Sequence, residues 1–508
     1  MSKKNGASCR TRTGDLMITN QLRYQLSQAG TPCCFINIQL FFQIASGLLI
    51  FSLVNRVFVI YFMYMRKFLE HKYTLWAILL LAFILRIIPA FSAVSDEKRL
   101  IRPDSSGYLE PAKELLAGGT YSSTRRPPGY PVFVSAIYAV GGNNSAVVFI
   151  QVLISVAVCA VTACAAKEYA GNAAGNLAGL FMALNLTAIA NAPLLLTDTF
   201  FALFTAITFY LFIRYKKSSR LPWLIGTAAV AAVATLIRPI NQLFILPLMV
   251  LTAFLPQMRW KKKLIHCAAS FVLFLLIITP WMFRNYLAGA TFDIDTNTGA
   301  MRHQNGAMLL AKVNGTDFES EKAKLLKLEA ETFADTEKFP DERTKENWRK
   351  AEFRKMVLAH PVTYFCQHFD PLIFMPDAPT LLECFGVTSS DRGTMGVLKK
   401  DGIFAAVRHY FGENYLSILL FLIPLLIPVM FLYLAFAGKL IKDLITWKSS
   451  YFEILLFLAF AEYYLFLPGS ITAPRYQLPA LPCLCTLAAC AILTFFREND
   501  KTAGNTEN

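Results

Sequence analysis

Charged side chains are scarce in this chain: Asp, Glu, Lys and Arg make up 16% of its 508 residues, against about a quarter in a soluble domain. Instead 55% of the residues are apolar, with 42 Phe, gathered in runs near the roughly 20 residues that cross a bilayer. Asp, Lys and Arg each cost roughly 2.5–3.5 kcal/mol at the centre of a spanning helix, so runs nearly empty of them read as spans. Metal-ligand spacing is missing too. The six His are dispersed, and Cys483-x-Cys485 has no His beside it. Cys159, Cys164, Cys483, Cys485 and Cys490 lie inside apolar runs, where a thiol behaves as a small hydrophobe. Neither a zinc site nor a disulfide framework follows, and the chain has no repeat and no low-complexity tract. The net charge of +15 would point to nucleic acid in a soluble protein. Here the basic residues sit in short loops beside apolar spans, as the positive-inside rule requires, and nucleic acid is not an expected partner.

Residues 1–64 stand apart. Ser8–Gln28 is polar, basic and aperiodic, and no short apolar core with a small-residue cleavage site follows it, so it does not read as a signal peptide. Its Arg10–Leu22 string resembles an upstream gene-model extension into non-coding DNA, with translation starting at Met65 or Met63. The alternative is a real extra span over Leu40–Met63, interrupted by Asn55 and Arg56.

From Met65 the pattern predicts an all-α integral membrane protein with about ten spanning helices. The expected spans are Tyr73–Ala93, Ser145–Ala166, Gly175–Asn191, Asp198–Ile213, Leu221–Ile237, Pro239–Leu255, Leu264–Phe283, Tyr415–Ala437, Tyr451–Leu467 and Tyr476–Phe496. Pro131–Gly142 is apolar but too short to cross, and is expected at the interface. Threading the spans alternately puts Lys167, Arg214, Lys216, Lys217, Arg220, Arg259, Lys261, Lys262, Lys263, Lys439, Lys442 and Lys448 on one side. Only Arg238 and Arg475 fall in short loops on the other. That bias places both ends of the core in the cytoplasm. The organisation is then a transmembrane core over 65–284 with a first outer loop at 94–144, an extracytoplasmic segment over 285–414, C-terminal spans over 415–496 and a cytoplasmic tail over 497–508. Within the outer segment, Asp317–His360 reads as amphipathic helices, with Leu325, Leu326 and Leu328, then Trp348, Phe353 and Met356, set among Lys and Glu. Pro340 breaks the pattern.

Polarity gathers on the outer face. Asp104 precedes a short helix whose Tyr108, Ala112, Leu115 and Leu116 share one face. It is either an N-cap, worth about 1 kcal/mol, or a general base for an acceptor hydroxyl at the membrane edge. Arg125-Arg126-Pro127-Pro128-Gly129-Tyr130 feeds two guanidinium groups into a rigid turn, which suits lipid phosphate or plain interfacial anchoring by Arg and Tyr. Asp198 opens a span, as an ionisable functional residue or as a cap in competition with Thr197. Arg238, Arg284 and Arg475 also lie at outer helix ends. Each could snorkel, but four Arg at the outer surface, Arg126 included, point to an anion there. Arg86, inside the first span, is expected to face the bundle interior without a chemical role.

Taken in order, these motifs resemble the GT-C superfamily of glycosyltransferases, nearest to the bacterial branch similar to protein O-mannosyltransferases and to the aminoarabinose transferases of lipid A. The pattern is an acidic residue then Tyr in the first outer loop (Asp104, Tyr108), Arg-Pro-Pro-Gly-Tyr-Pro (126–131), Asp198, Thr-Leu-x-Arg-Pro (235–239), Pro-Trp-x-x-Arg-Asn (280–285), Thr-x-x-Gly (296–299) and Arg-Tyr-x-x-Pro (475–479). It runs from Met65 to Phe496. The resemblance implies transfer of a sugar from a polyprenyl-phosphate donor to a lipid, glycan or protein acceptor, outside a bacterial inner membrane. It implies Asp104 as catalytic base and Arg126, Arg284, Arg475 and Arg238 as holders of the donor phosphate. Tyr108, Asp198, Tyr130 and Asn285 are candidates for substrate contact. Ser105 stands where the mannosyltransferase pattern has a second acid, and Asp96-Glu97 forms such a pair eight residues earlier. The base is therefore Asp104, Asp96, Glu97 or Asp198. The pattern names no cofactor and leaves metal dependence open, since Asp104 and Asp198 could share Mg2+ or Mn2+.

The main rival is a transporter or flippase of lipid-linked glycans, which needs polar residues deep in its spans. Only Glu453 and Glu462 break the apolar pattern of the ninth span. A ligase or polymerase on the same lipid substrates, and a non-enzymatic scaffold, share the arginines but differ in their need of a sugar-phosphate donor or of Asp104.

Overall fold

In the computed structural model, described residues are 67–505 apart from Thr120, Gln257, 388–393, Glu413 and Ser470. The expectations for residues 1–64 lie outside them. Regular structure among the described residues is helical throughout, and Leu69–Asn508 forms one compact unit. Its first half runs α1 (Thr74–Val94), α2 (Ser106–Gly118), α3 (Gly129–Ala139), α4 (Asn144–Ala170), α5 (Asn172–Leu184), α6 (Leu186–Asn191), α7 (Asp198–Ser218), α8 (Leu221–Thr235), α9 (Ile245–Ala253) and α10 (Trp260–Leu287).

Why these elements belong in a bilayer shows best in α1. Ile78, Ala82, Pro89, Ala90 and Ala93 are buried, while Trp76, Leu80, Ile84, Ile88 and Phe91 on the other face are exposed. A helix apolar all round is one whose outer face meets lipid rather than water. Arg86 is the exception on the buried face. Its guanidinium donates to Ser155 Oγ (2.7 Å), to the carbonyls of Ala82 (3.1 Å) and Ala183 (3.0 Å) and to that of Met182 (2.9 Å). The last two carbonyls end α5, so Arg86 closes that helix.

Among the described residues, five helices are long and apolar enough to cross a membrane: Thr74–Val94, Asn144–Ala170, Trp260–Leu287, Tyr415–Ile445 and Trp447–Phe466. Other expected crossings are shorter or interrupted. The stretch expected over Gly175–Asn191 splits into α5 and α6, with Asn185 capping the second piece through Ala188 N–H (3.0 Å). That over Pro239–Leu255 starts as a 3-10 turn, Pro239–Leu243, before α9.

The second half continues with α11 (Thr298–Met301), a π turn (Arg302–Gly306), α12 (Ala307–Asn314), α13 (Phe318–Phe333), α14 (Glu342–Ala359), α15 (Pro361–Cys366), α16 (Ala378–Cys384), α17 (Thr394–Phe411), α18 (Tyr415–Ile445), α19 (Trp447–Phe457), α20 (Tyr463–Phe466) and α21 (Leu481–Asn505). The amphipathic pair expected around Pro340 is α13 and α14. Asp317 and Asp341 cap them, each accepting a backbone N–H at 2.8 Å. Only Leu325 of the three leucines is buried. The aromatic residues Phe333, Phe339 and Trp348 close the hairpin instead, with ring centroids 5.2–6.4 Å apart.

Candidate functional site

One helix separates the two charged ends of the bundle. Asp198 opens α7 and Arg214 lies in its last turns, roughly 24 Å away at 1.5 Å per residue. At the Arg214 end, Arg214 and Lys217 pair with Glu168 at 3.2 and 3.1 Å, and Lys216 lies 3.8 Å from Glu453. Glu453 also accepts from Tyr169, so this acid of the ninth expected span is engaged by neighbours at that end.

The other end carries the cluster. Asp104 does not cap α2; Ser105 occupies that position. Each Asp104 oxygen instead takes a guanidinium, Arg126 at 2.9 Å and Arg475 at 3.1 Å. Burial works against ionisation of Asp104, but Arg126, by charge and hydrogen bond, and then Arg475 outweigh it and hold the carboxyl below its ordinary value. Arg126 also donates to Tyr108 OH (3.1 Å) and lies over that ring, 4.7 Å from its centroid. The buried face of α2 is Tyr108, Leu109, Pro111 and Ala112; Leu116, expected on it, is exposed, because the helix is turned to bring Tyr108 onto Tyr130 at 5.6 Å, edge to face.

A second carboxylate–guanidinium pair sits behind the first. Asp198, with Thr197 at the N-cap, forms a close ion pair with Arg238. Arg238 lies over the rings of Phe201 and Tyr476, and Arg475 over Tyr476. Arg475 is under the influence of Asp198 as well as Asp104. Three guanidinium groups thus face two carboxylates, leaving one positive charge in excess. Arg475 Nε is buried without a hydrogen-bond partner, which is costly unless something else fills it.

Local sequence explains how this cluster assembles. Gly129 N–H donates to Leu236 O (2.8 Å), and a Cβ on Gly129 would stand 2.7 Å from both Leu236 O and Ile237 Cγ1. Only glycine lets the Pro-Pro turn lie against the backbone that carries Arg238. Similarly, a Cβ on Gly107 would stand 3.1 Å from Arg126 Nε. Tyr130 is fully buried and donates to Gln151 Oε1 (2.5 Å). Gln151 Nε2 in turn donates to Leu194 O (2.6 Å), which fixes the segment entering Asp198. Gln477, two residues past Arg475, is anchored to Ile373 O (2.9 Å) and by Tyr433.

The remaining candidates lie outside the cluster. Arg284 pairs with neither carboxylate. It donates to Ser123 O (3.0 Å), to Tyr121 O and to Asn285 Oδ1 (2.9 Å), and stacks on Trp281. Asn285 is buried and holds the carbonyls of Asp293 (2.9 Å) and Ile294 (3.2 Å). Arg284 clamps the strap at 121–124 that leads to Arg126, and Asn285 the segment at 293–294. Asp96 caps a 3-10 turn and Glu97 accepts from Asn144. Among the described residues, no group of three or more His, Cys, Asp or Glu is placed to hold a metal. Asp104 and Asp198, both committed to guanidinium, do not fit a shared divalent ion.

Asp295 carries no mark in the sequence, because nothing in its neighbourhood signals burial. Burial pushes its carboxyl up to about 7 against the pull of Arg126, and Asp293 and Glu346 add to the rise. Its position is set by Trp281 Nε1–H to Ile294 O (3.0 Å) and by Thr296 N–H to Thr124 O (3.1 Å). Beyond the strap opens a cavity of about 550 Å³, lined by Thr124, Arg125, Thr296, Asn297, Gln304 and Arg349 among others.

Residues 125–283 match the family model described as dolichyl-phosphate-mannose-protein mannosyltransferase, a segment that holds Arg126, Tyr130, Asp198 and Arg238. No curated protein sequence matches the chain. Among solved structures it is similar to ArnT from Cupriavidus metallidurans bound to undecaprenyl phosphate, at 14% identity and TM-score 0.41, covering 82% of this chain and 59% of that one. It is also similar to the archaeal oligosaccharyltransferase AglB from Archaeoglobus fulgidus in complex with an inhibitory peptide and a dolichol-phosphate, at 14% identity and TM-score 0.47, covering 85% of this chain and 51% of that one. The chain thus spans only between half and three-fifths of those two solved chains. The resemblance to GT-C glycosyltransferases drawn from the motifs is borne out.

Proposed function

We propose that this GT-C-like membrane protein transfers a sugar from a polyprenyl-phosphate donor to an acceptor at the extracytoplasmic face of the plasma membrane. The observation that carries it is the charge excess at Asp104, where three guanidinium groups meet two carboxylates and Arg475 Nε is left unspent. A phosphate supplies both the missing charge and the missing acceptor. The shorter apolar helices Leu221–Thr235, Pro239–Ala253 and Leu481–Phe496, with α5 to α7, complete the set of about ten crossings.

The chemistry is a single displacement. An acceptor hydroxyl oxygen attacks the anomeric carbon, the bond from that carbon to the phosphate oxygen breaks, and the hydroxyl proton passes to Asp104. The leaving polyprenyl phosphate keeps the electron pair, and its charge is met by Arg126 and Arg475. Asp104 bound by both is a weak base. Donor phosphate competes for the same guanidinium groups, and as they turn to it the carboxylate is released and its affinity for a proton rises. The base becomes competent only with donor in place. Asp198–Arg238 holds the floor of the site, and Arg284 positions the strap rather than touching phosphate.

The test is to incubate purified protein in lipid nanodiscs with a panel of polyprenyl-phosphate sugars and cell-envelope acceptors, measuring released polyprenyl phosphate. Turnover that disappears in Arg475→Ala supports the reading. Movement of intact lipid-linked sugar across proteoliposomes, without cleavage, would overturn it in favour of transport.

A further inference from the structure

The cavity beyond the strap has walls whose charges are unequally committed. Its two acids are engaged from within. Glu329 accepts from Arg302 Nη1 (3.1 Å), His303 Nε2 (2.7 Å) and Arg349 Nε (3.0 Å), and Glu342 accepts from Arg349 Nη1 (2.5 Å). Arg302 is itself fully buried over Trp348. Arg349 also donates to Glu346 Oε2 (3.2 Å), so two guanidinium groups tie down three carboxylates and stiffen that wall.

Other lining groups are unspent. Among the described residues, the side chains of Arg125, Asn297 and Gln304 make no hydrogen bond or ion pair, yet all three line the same cavity. Lys322 lines it too, paired at 3.7 Å with the exposed Glu319 and lying over the Phe318 ring at 5.4 Å. One uncommitted cation, a second held only by a solvent-exposed acid and a ring, and two amides, each amide offering donor and acceptor together, therefore converge on one space. No Phe, Tyr or Trp lines it, and its apolar side chains are Ala300 and Leu326, so it does not suit a prenyl chain, which needs an apolar bed.

The cavity also adjoins the transfer cluster. Arg125 lines it while Arg126, the next residue, holds Asp104, and consecutive Cα atoms are about 3.8 Å apart. The strap is fixed to the opposite wall by Thr296 N–H to Thr124 O (3.1 Å) and by the two threonine hydroxyls at 3.2 Å.

We infer that this cavity is the acceptor site and that it selects a saccharide bearing an anionic group, carboxylate or phosphate, beside its hydroxyls. The anion meets Arg125 and Lys322, and Asn297 and Gln304 read the hydroxyls. This assignment builds on the proposed transfer reaction, but binding can be measured without donor.

The experiment is equilibrium binding to the full-length protein in nanodiscs, using a fluorescent trigalacturonate, neutral trigalactose and inorganic phosphate. Trigalacturonate is expected to bind at least about tenfold more tightly than trigalactose, a difference of about 1.4 kcal/mol. Arg125→Ala combined with Lys322→Ala should abolish that preference without lowering the melting temperature, since neither side chain is buried, and Gln304→Ala should weaken both sugars alike. Inorganic phosphate that displaces trigalacturonate identifies the anion subsite as the source of the preference. Equal binding of the charged and neutral sugars, no binding of trigalacturonate, or a preference that survives the double substitution overturns the inference. Anion-selective binding by a protein that cleaves no donor would instead sink the transferase reading and leave this site standing.

Discussion

Replacing Asp104 by Asn should move activity and donor affinity in opposite directions. The substitution keeps the size of the side chain and removes its charge, so the proton acceptor is lost. Removing a positioned base typically costs about 10²–10⁴-fold in rate. The same change also removes the competitor that holds Arg126 and Arg475 in the absence of donor. Asp104 is 44% exposed and its partners 26% and 20%, so each pair is worth roughly 0.2–1 kcal/mol. Releasing both should tighten donor phosphate binding by roughly 2–30-fold. The assay pairs single-turnover release of polyprenyl phosphate with equilibrium binding of a fluorescent polyprenyl-phosphate sugar. A variant that binds donor more weakly than the wild type would refute the competition between carboxylate and phosphate. Turnover within about tenfold of wild type would remove Asp104 as base and return the role to Asp198, Asp96 or Glu97.

Asp198→Ala leaves the partly buried Arg238, 20% exposed, without its carboxylate and should cost at most about 3 kcal/mol of stability, read as a fall in thermal midpoint in detergent; Asp198→Ala with Arg238→Met should recover much of it. Glu329→Ala leaves the fully buried Arg302 short of its carboxylate and should destabilise the helical segment around α13 and α14 by ~3–5 kcal/mol, visible as faster proteolysis between α13 and α14. Gly129→Ala forces a Cβ into Leu236 O and should displace Arg126, lowering kcat while membrane insertion, followed by detergent extraction, is unchanged. Asp295 has a folded-state pKa of about 7, above the unfolded value of about 3.9. Its contribution to stability is complete below about pH 4 and is lost as pH rises through about 7. Asp295→Asn should therefore raise the melting temperature at pH 8 and change it little at pH 4; an equal shift at both would rule out the titration.

Much of the molecule is legible in the order of its residues. A membrane bundle follows from composition and run length alone, because water and hydrocarbon impose different costs on every charge. The ends of the major helices fall within a few residues of expectation where a cap or a charge marks them, as in Asp198 opening α7. The helical hairpin around Pro340 is visible too, since Pro ends a periodic pattern in a way no tertiary contact reverses. The match over residues 125–283 supports the motif order read from the chain.

What local pattern could not settle is which like residues differ in duty. Arg126, Arg238, Arg284 and Arg475 all end helices on one face, yet three meet carboxylates and Arg284 binds backbone carbonyls. Asp104 and Asp198 both read as possible caps, and neither is one, because Ser105 and Thr197 take the cap positions. Asp295 and the cavity beyond Arg125 left no trace in periodicity. Sequence by itself determined the class of molecule, the segments in which polarity collects and the residue types available there, since burial in lipid is decided segment by segment. Tertiary structure alone decided which charges neutralise each other and which are left for a ligand, since ion pairing joins positions as far apart as 104 and 475 and no pattern along the chain records that distance in space.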